Sequence, residues 1–498
     1  MEIGEHLSIE AFVDVARFKE KVTLSEGARK RIEKSRKIIE KILKSGEAVY
    51  GVNTGFGALA SVRIPKEDLL TLQRNVILSH SAGFGKPLEE EIVRGMMLLR
   101  AVSLSKGYSG VRPLVVEKLI EFLNKCVYPY VPEKGSVGAS GDLAPLAHLT
   151  LPLIGEGYVI YKGERRKSKD VLKELKIEPI ELKEKEGLAL INGTQAMTSL
   201  VAFSARDAER LLYLATMVAA MSFEALNGIY DPFEDKVHAI RPHNGQKRVA
   251  GLFREMIKYE EKRRPSEKVQ DAYSLRAIPQ VYGAVLDTIK YTQSVLEIEM
   301  NSVTDNPLIF EDGSALSSGN FHGEPVALVA DFLSIALTDL GNMIERRIDR
   351  LVNPKVNEGL PPFLASGKEG LNSGYMIYQY TAAALCNENK ILSHPASADT
   401  VPTSAYQEDH VSMGMTAALK LKKILENVAH ILAIETMLAV VALNYRRKKI
   451  KSVLGEFQEK IYSFIENRNG DGFFWEDLEK VRKFVIDLIK GKGEFWKS

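Results

Sequence analysis

Four long segments with apolar residues at helical spacing dominate the second half of the chain, and they restrict the fold more than any other feature. They are residues 199–227, 278–303, 324–352 and 410–445. Three of them end at or before a helix-breaking pair or triplet, for example Asn353-Pro354. Four helices of this length predict a mainly α fold built around an elongated central helical bundle.

The first part of the chain carries shorter patterns. Residues 20–45 alternate charged and aliphatic positions and end at Gly46, which predicts a surface helix. Residues 155–175 predict a hairpin around a Lys-Gly turn and then a helix. Residues 446–470 predict one charged, amphipathic terminal helix. We therefore predict a smaller N-terminal region over 1–198, followed by the long-helix bundle and C-terminal helices over 199–498.

Charge and composition restrict the class of partner. The chain has 67 Lys plus Arg against 65 Asp plus Glu, so no excess of basic residues favours nucleic acid or an anionic membrane. The apolar stretch 199–221 contains Arg206 and Asp207, which predicts a core helix and not a membrane span. The N-terminal residues lack the pattern of a secretory signal, so we expect a cytoplasmic protein with a small-molecule partner.

Two further classes of site have no support in the sequence. The two cysteines, Cys126 and Cys386, are far apart and lack metal-ligand spacing, so neither a disulfide framework nor structural zinc is expected. HExxH is also missing, and we expect no metal.

The segment GSVGASGDLAP, residues 135–145, surrounds Ser140 with very small residues. It is not a nucleophile elbow, because Gly141 and Asp142 follow Ser140 directly where Gly-x-Ser-x-Gly is required. It is not a P-loop, because the phosphate-binding lysine is missing. Taken alone, the segment is most simply a tight turn with Asp142 near a helix N-terminus.

The tripeptide Ala139-Ser140-Gly141 has a second interpretation, because its backbone could cyclise. If a strained turn presses its ends together, the Gly141 nitrogen can attack the Ala139 carbonyl carbon. Loss of one water from the new ring and a second from Ser140 leaves an exocyclic alkene, which is a strong electrophile. Small residues on each side permit this compression.

The segment GSVGASGDLAPLAH resembles the prosthetic-group motif of the histidine and aromatic amino acid ammonia-lyases. The resemblance extends from about residue 45 to 445 through these further blocks: YGVNTGFG, SHSAGFGKPL, GLALINGTQA, KVQDAYSLR, SSGNFHGEPVA, ENKILSHPAS and YQEDHVSMG. It implies an ammonia-lyase/fumarase-like fold and a 4-methylideneimidazole-5-one (MIO) group that forms autocatalytically from Ala139, Ser140 and Gly141. It also implies a homotetramer whose active sites each use three subunits, with no dissociable cofactor.

The resemblance also assigns roles to other residues by position. It implies that Tyr50 is the base for the β proton, that Arg276 holds the substrate carboxylate and that Asn192 bonds the prosthetic group or the substrate amine. A planar guanidinium suits a carboxylate because it can bond both oxygens. The implied catalytic residues are Ala139, Ser140, Gly141, Tyr50, Tyr273 and Glu408, and the implied substrate-binding residues are His80, Asn192, Gln270, Arg276, Phe321 and Met376.

The resemblance also indicates the substrate, because His80 and Glu408 match the residues that histidine-type members of the family have at these positions. They imply elimination of ammonia from L-histidine to give trans-urocanate, with the Glu408 carboxylate hydrogen-bonded to an imidazole. The departures from that pattern are Ala272, Tyr378, Tyr380 and Tyr406. They keep open a tyrosine or phenylalanine ammonia-lyase and a 2,3-aminomutase, and a catalytically silent helical scaffold is the alternative from another class.

Overall fold

The computed structural model describes residues 1–257, 268–450 and 453–493, and within these ranges the protein is mainly helical. The α-helices are α1 (Ile9–Ala16), α2 (Glu26–Ser45), α3 (Leu69–His80), α4 (Glu90–Ser105), α5 (Pro113–Asn124), α6 (Leu143–Thr150), α7 (Ser168–Leu175), α8 (Glu186–Ile191), α9 (Gln195–Ala225), α10 (Asp235–Ala239), α11 (Asn244–Ile257), α12 (Tyr273–Arg276), α13 (Ile278–Met300), α14 (Glu324–Val352), α15 (Met376–Leu392), α16 (Gly414–Tyr445), α17 (Val453–Tyr462) and α18 (Trp475–Lys490). The predicted mainly α fold class is confirmed.

In the part of the chain that the structure describes, the strands are short and form four small sheets. They are β1 (Glu2–Ile3), β2 (Thr23–Leu24), β3 (Phe84–Pro87), β4 (Tyr128–Pro129), β5 (Pro132–Lys134), β6 (Tyr158–Tyr161), β7 (Glu164–Lys167), β8 (Leu308–Ile309) and β9 (Ala315–Leu316). The strand orders are β1-β2, β3-β5, β4-β6-β7 and β8-β9, and only β1 and β2 pair in parallel. The predicted hairpin is the pair β6 and β7, in which Tyr158 lies opposite Lys167.

The four predicted long helices are α9, α13, α14 and α16. Helix α16 begins at Gly414, four residues after the predicted start, because residues 410–413 form a loop in which Met413 has a left-handed φ of 54°. That loop contributes to the candidate site described below.

Helix α2 ends as predicted, before Gly46, which takes a left-handed φ of 71°. It begins at Glu26, six residues after the predicted start, because the Ser25 hydroxyl accepts the Ala28 N–H at 3.1 Å as an N-cap and Thr23–Leu24 form β2.

The charged residues within apolar α9 have structural partners. Arg206 is buried and donates to the carbonyls of Ile489 at 2.8 Å and Gly491 at 2.6 Å, and Arg210 donates to the carbonyl of Leu488 at 3.0 Å. These carbonyls lie at the C-terminal end of α18, where a helix leaves its acceptors unsatisfied. The two arginines therefore cap the last helix.

Two described helices, α14 and α16, are long and apolar enough to cross a membrane by length and composition. Their most apolar windows are 67% and 83% buried inside the structure. Helices that are apolar on most sides and covered by protein are typical of a folded core.

The C-terminal prediction of one helix over residues 446–470 is wrong. Helix α17 ends at Tyr462, a non-helical connection follows, and α18 begins only at Trp475. Both ends of the predicted segment are non-helical. Arg447 takes a left-handed φ of 52° just after the end of α16, and Gly470 takes a φ of 107° while its N–H donates to the Ser366 hydroxyl at 3.0 Å.

The chain divides into two compact units, and each of the long helices α9, α13, α14 and α16 contributes residues to both. Unit 1 contains residues 1–203, 293–331 and 395–419, and unit 2 contains residues 204–292, 332–394 and 420–498. Unit 1 thus includes the whole proposed N-terminal region, 1–198, together with two later segments. The proposed division at residues 198 and 199 stays a proposal about domain organisation.

Candidate active site

The loop that contains Ala139, Ser140 and Gly141 lies in unit 1 between β5 and α6. Gly141 has a left-handed φ of 72°, and a Cβ atom there would lie 2.1 Å from the Gly193 carbonyl oxygen. Both the conformation and the available space therefore require glycine at 141. Ala139, two residues earlier, is also buried.

Two side chains from distant segments contact Ser140. The Asn192 side-chain amide donates to the Ser140 carbonyl oxygen at 2.9 Å, and the Ser140 hydroxyl donates to Glu408 Oε1 at 3.0 Å. Three residues with predicted roles are therefore brought together, although they are separated by up to 268 positions in the chain. The small flanking residues and the amide bound to the carbonyl fit a ring formed from residues 139–141.

Asp142 anchors this loop, but not by capping its own helix. Its buried carboxylate accepts the backbone N–H groups of Ala196 and Met197, each at 2.9 Å, at the start of α9. The Ser136 hydroxyl donates to its other oxygen at 2.7 Å. Burial raises the pKa of Asp142 to about 6, and these three hydrogen bonds oppose that rise.

The N-termini of three long helices converge on the loop. Helix α9 is held through Asp142, and the Ser412 hydroxyl joins the loop to α16 by donating to the Gly138 carbonyl at 3.1 Å and accepting the Gly414 N–H at 3.2 Å. Just before α14, a Cβ at Gly323 would lie 2.8 Å from the Ser412 hydroxyl oxygen. Helix N-termini carry partial positive charge, so this region favours negative charge developing on a bound group.

Tyr50 lies in the glycine-rich loop that follows α2. Its hydroxyl accepts the Gly57 N–H at 3.3 Å, and its ring packs edge-on against Phe56 with centroids 6.4 Å apart. Burial raises the pKa of Tyr50 above its ordinary value, the Gly57 hydrogen bond opposes this, and the negative charge of Glu408 adds to the rise.

His80 ends α3 and also experiences the charge of Glu408. Burial lowers its pKa, whereas a backbone hydrogen bond at Val76 and the Glu408 charge raise it. The Ser79 hydroxyl lies 3.1 Å from His80 Nδ1. Tyr50, His80, Ser140 and Glu408 thus form one electrostatically linked cluster within unit 1.

Phe321 also belongs to unit 1 and lies half-buried in the turn before α14. The next residue, His322, stacks at an angle on His410, with ring centroids 5.4 Å apart. The Phe321 and Glu408 segments therefore approach each other through this histidine pair.

The remaining predicted site residues belong to unit 2. Arg276, at the end of α12, donates to Gln270 Oε1 at 2.7 Å and lies 4.7 Å from the centroid of the Tyr273 ring. Gln270, Tyr273 and Arg276 therefore form a second group. Met376 is the first residue of α15, which also carries Tyr378.

The aromatic amino acid lyase family matches residues 7–467. The chain belongs to this family. Histidine ammonia-lyase of Caldanaerobacter subterraneus subsp. tengcongensis is 53% identical over 473 residues, which cover 93% of each chain.

Solved structures similar to this aromatic amino acid lyase include a histidine ammonia-lyase and a tyrosine aminomutase. Histidine ammonia-lyase from Trypanosoma cruzi has a TM-score of 0.90 and 40% identity, covering 98% of this chain and 95% of the other. Tyrosine aminomutase from Streptomyces globisporus has a TM-score of 0.93 and 37% identity, covering 98% of each chain. The predicted family resemblance and the predicted enzyme class, an ammonia-lyase, are confirmed.

Behind Asn192, this aromatic amino acid lyase contains a buried charge network that the sequence did not reveal. The guanidinium of Arg100, which is fully buried, donates to the Asn192 backbone carbonyl at 2.7 Å and to Gln195 Oε1 at 3.0 Å. Asp305 is the electrostatic partner of Arg100 and also forms a 2.7 Å ion pair with buried Lys185. Burial lowers the pKa of Arg100 to about 10, and the Asp305 charge opposes this.

Asp142, Ser412 and Arg100 support the site but were not predicted to belong to it. The sequence offered one indication for Asp142, namely an acidic residue directly after Gly141 and just before a predicted helix. Ser412 lies within the block YQEDHVSMG and could have been selected for its position before a predicted helix. Arg100 lies in an apolar helix, and its sequence position indicated only that a charged side chain there would be costly to bury without partners.

Proposed function

We propose that this protein eliminates ammonia from L-histidine to give trans-urocanate. The observation that carries the proposal is the Glu408 carboxylate, which hydrogen-bonds Ser140 and acts electrostatically on His80 and Tyr50. A carboxylate beside the reacting loop suits an imidazole side chain, which can donate an N–H to it. A phenyl side chain offers no such donor.

We propose that Ala139, Ser140 and Gly141 form an MIO group, and that no dissociable cofactor is used. When formed, this group supplies an electrophilic alkene that takes up the substrate amine and improves it as a leaving group. Asn192 holds the carbonyl oxygen of residue 140 by its 2.9 Å hydrogen bond. The N-termini of α9, α14 and α16 favour electron density moving towards that oxygen.

Tyr50 is proposed to accept the β proton, and its environment sets a pH dependence. Burial and the Glu408 charge raise its pKa, so the phenolate fraction is small near neutral pH and grows as pH increases. We expect kcat/KM to rise with pH. In Glu408→Gln the negative charge is removed, the pKa of Tyr50 falls, and the rise should begin at lower pH. A rise at unchanged pH in that variant contradicts this role.

Arg276 is proposed to bind the substrate carboxylate, with its guanidinium oriented by Gln270 and Tyr273. Arg276→Ala should raise KM for L-histidine about 10- to 100-fold, the range expected for charge-assisted hydrogen bonds, with a smaller change in kcat. A matched control is Arg241→Ala, because Arg241 also donates to a glutamine, Gln246 Oε1, at 3.3 Å. Equal changes in KM for the two variants would overturn the assignment.

We propose that the protein acts in the cytoplasm as a homotetramer with active sites shared between subunits. The predicted residues fall into two groups in different units, and Tyr273, which is proposed to be catalytic, is 72% exposed on the single chain. A catalytic side chain this exposed to water is expected to be covered by another subunit, because closed sites strengthen electrostatic catalysis.

The test is ultraviolet absorbance of the purified protein with L-histidine, L-tyrosine and L-phenylalanine in turn, combined with product analysis. Each conjugated acrylate product absorbs where its substrate does not. We expect rapid formation of urocanate from histidine. A β-amino acid as product, or turnover of tyrosine but not histidine, would replace the proposed function with an aminomutase or a tyrosine lyase.

A further inference from the structure

The Glu408 carboxylate is held from two sides. Its Oε1 accepts the Ser140 hydroxyl at 3.0 Å, and its Oε2 accepts the Thr403 hydroxyl at 2.7 Å. A hydroxyl that donates to one carboxylate oxygen restricts rotation about the last side-chain bond. The Thr403 hydroxyl therefore helps to fix the orientation of the Glu408 carboxylate beside the reacting loop.

Thr403 and Glu408 are also joined through their backbones. The Thr403 N–H donates to the Glu408 carbonyl at 2.7 Å, and the Glu408 N–H donates to the Thr403 carbonyl at 3.3 Å. These bonds close a short loop that contains Ser404, Ala405 and Tyr406, which have φ values of 49°, 53° and 68°. Three successive left-handed non-glycine residues are strained, at a cost of order 1–3 kcal/mol each, and such strain is found mainly at functional sites.

The strained loop contacts the segment that holds Tyr50. A Cβ at Gly57 would lie 2.4 Å from the Ser404 hydroxyl oxygen, and the Gly57 N–H donates to the Tyr50 hydroxyl at 3.3 Å. The closed loop therefore links the proposed base to the carboxylate through Gly57. Thr403 and Glu408 are the two ends of the closed loop, and hydrogen bonds join them to each other. The position of the Glu408 carboxylate therefore depends on Thr403.

We propose that Thr403 is a positioning residue that orients the Glu408 carboxylate towards the imidazole of the substrate and so contributes to substrate selection. This inference rests on the proposed function, because it assigns Glu408 the imidazole as its partner. The Thr403 hydroxyl occupies Oε2. Formation of the proposed MIO group removes the Ser140 hydroxyl from Oε1, which leaves that oxygen to receive the substrate N–H.

The test compares Thr403→Val, Thr403→Ser and Glu408→Gln, alone and as the Thr403→Val/Glu408→Gln double variant, with L-histidine as substrate. Valine keeps the branched shape without the donor, and serine keeps the donor. We expect kcat/KM to fall about 10-fold in Thr403→Val, as for loss of a hydrogen bond to a charged group, and to stay within about twofold in Thr403→Ser. In the Glu408→Gln background, Thr403→Val should have an effect below about twofold.

The matched control is Thr400→Val. The Thr400 hydroxyl accepts the Val411 N–H at 2.9 Å just outside the closed loop, so this variant loses a neighbouring hydroxyl hydrogen bond that is not made to Glu408. Its kcat/KM should remain within about twofold. An equal loss in Thr400→Val, or an undiminished effect of Thr403→Val in the Glu408→Gln background, would show that Thr403 only stabilises the loop.

Failure of this inference differs from failure of the proposed function. If the wild-type protein forms urocanate and Thr403→Val is as active as Thr403→Ser, only the inference about Thr403 is overturned. If the wild-type protein does not turn over L-histidine, the proposed function and this inference are overturned together.

Discussion

Ser140→Ala should abolish ammonia elimination while leaving the fold unchanged. Alanine has no hydroxyl group to lose as water, so the exocyclic alkene proposed for residues 139–141 cannot form. The structural cost should be small, because Ser140 is only partly buried and its hydroxyl, whose hydrogen bond is to Glu408, is in any case lost as water when the proposed MIO group forms. We expect activity below detection and a circular dichroism spectrum like that of the wild type.

Intact mass spectrometry connects this loss of activity to its chemical cause. The wild-type mass should be lower than the sequence mass by two water molecules, and Ser140→Ala should not show that loss. Ser314→Ala is a matched control in the same unit, because the Ser314 hydroxyl also donates to a carboxylate, Asp312 Oδ1, at 2.7 Å. It should retain both the activity and the mass loss. Substantial turnover by Ser140→Ala would refute the proposed prosthetic group.

The long helices were predictable because the pattern that specifies each of them lies within one continuous stretch of sequence. Residues 199–227 and 324–352 carry continuous helical periodicity over many turns, and the structure has helices there. The terminal segment 446–470 carries the same kind of pattern, but the helix described within it, α17, covers only Val453–Tyr462. Helix ends that depend on short polar stretches are therefore the weakest part of the prediction.

The contacts of the site were less predictable because they join distant segments. The Ala-Ser-Gly tripeptide identified the reacting loop, yet Asp142 caps α9, whose first N–H groups lie 54 and 55 positions further along the chain. Thr403 is close to Glu408 in sequence, but only a closed loop with left-handed residues places its hydroxyl on the carboxylate. Tertiary structure, and not local propensity, determines both arrangements.

The residues behind the site form the network on which Asn192 depends. Asp305 is a fully buried carboxylate. It forms an ion pair with Lys185 and interacts electrostatically with Arg100, and both of these cations are also fully buried. Arg100 in turn holds the Asn192 backbone carbonyl at 2.7 Å. One carboxylate therefore balances two buried cations, and one of those cations positions the amide that bonds Ser140.

Asp305→Asn should destabilise the protein by about 3–5 kcal/mol, the cost of leaving a buried charge without its partner. The control is Glu311→Gln, which breaks an exposed 3.1 Å pair with Lys34 and should cost less than about 1 kcal/mol. Urea unfolding at fixed protein concentration measures both, as a shift in midpoint.

The pH dependence of this loss separates charge from packing. Burial lowers the pKa of Lys185, and the Asp305 charge opposes that effect, so in Asp305→Asn the pKa of Lys185 falls further below its ordinary value of 10.5. The folded state then binds fewer protons than the unfolded state between the two pKa values, and stability rises with pH in that window. The deficit of Asp305→Asn relative to the wild type should therefore shrink as pH rises from the Lys185 pKa of the variant to the higher Lys185 pKa of the wild type, which itself lies below 10.5. A deficit independent of pH would mean that lost packing and not unbalanced charge causes it.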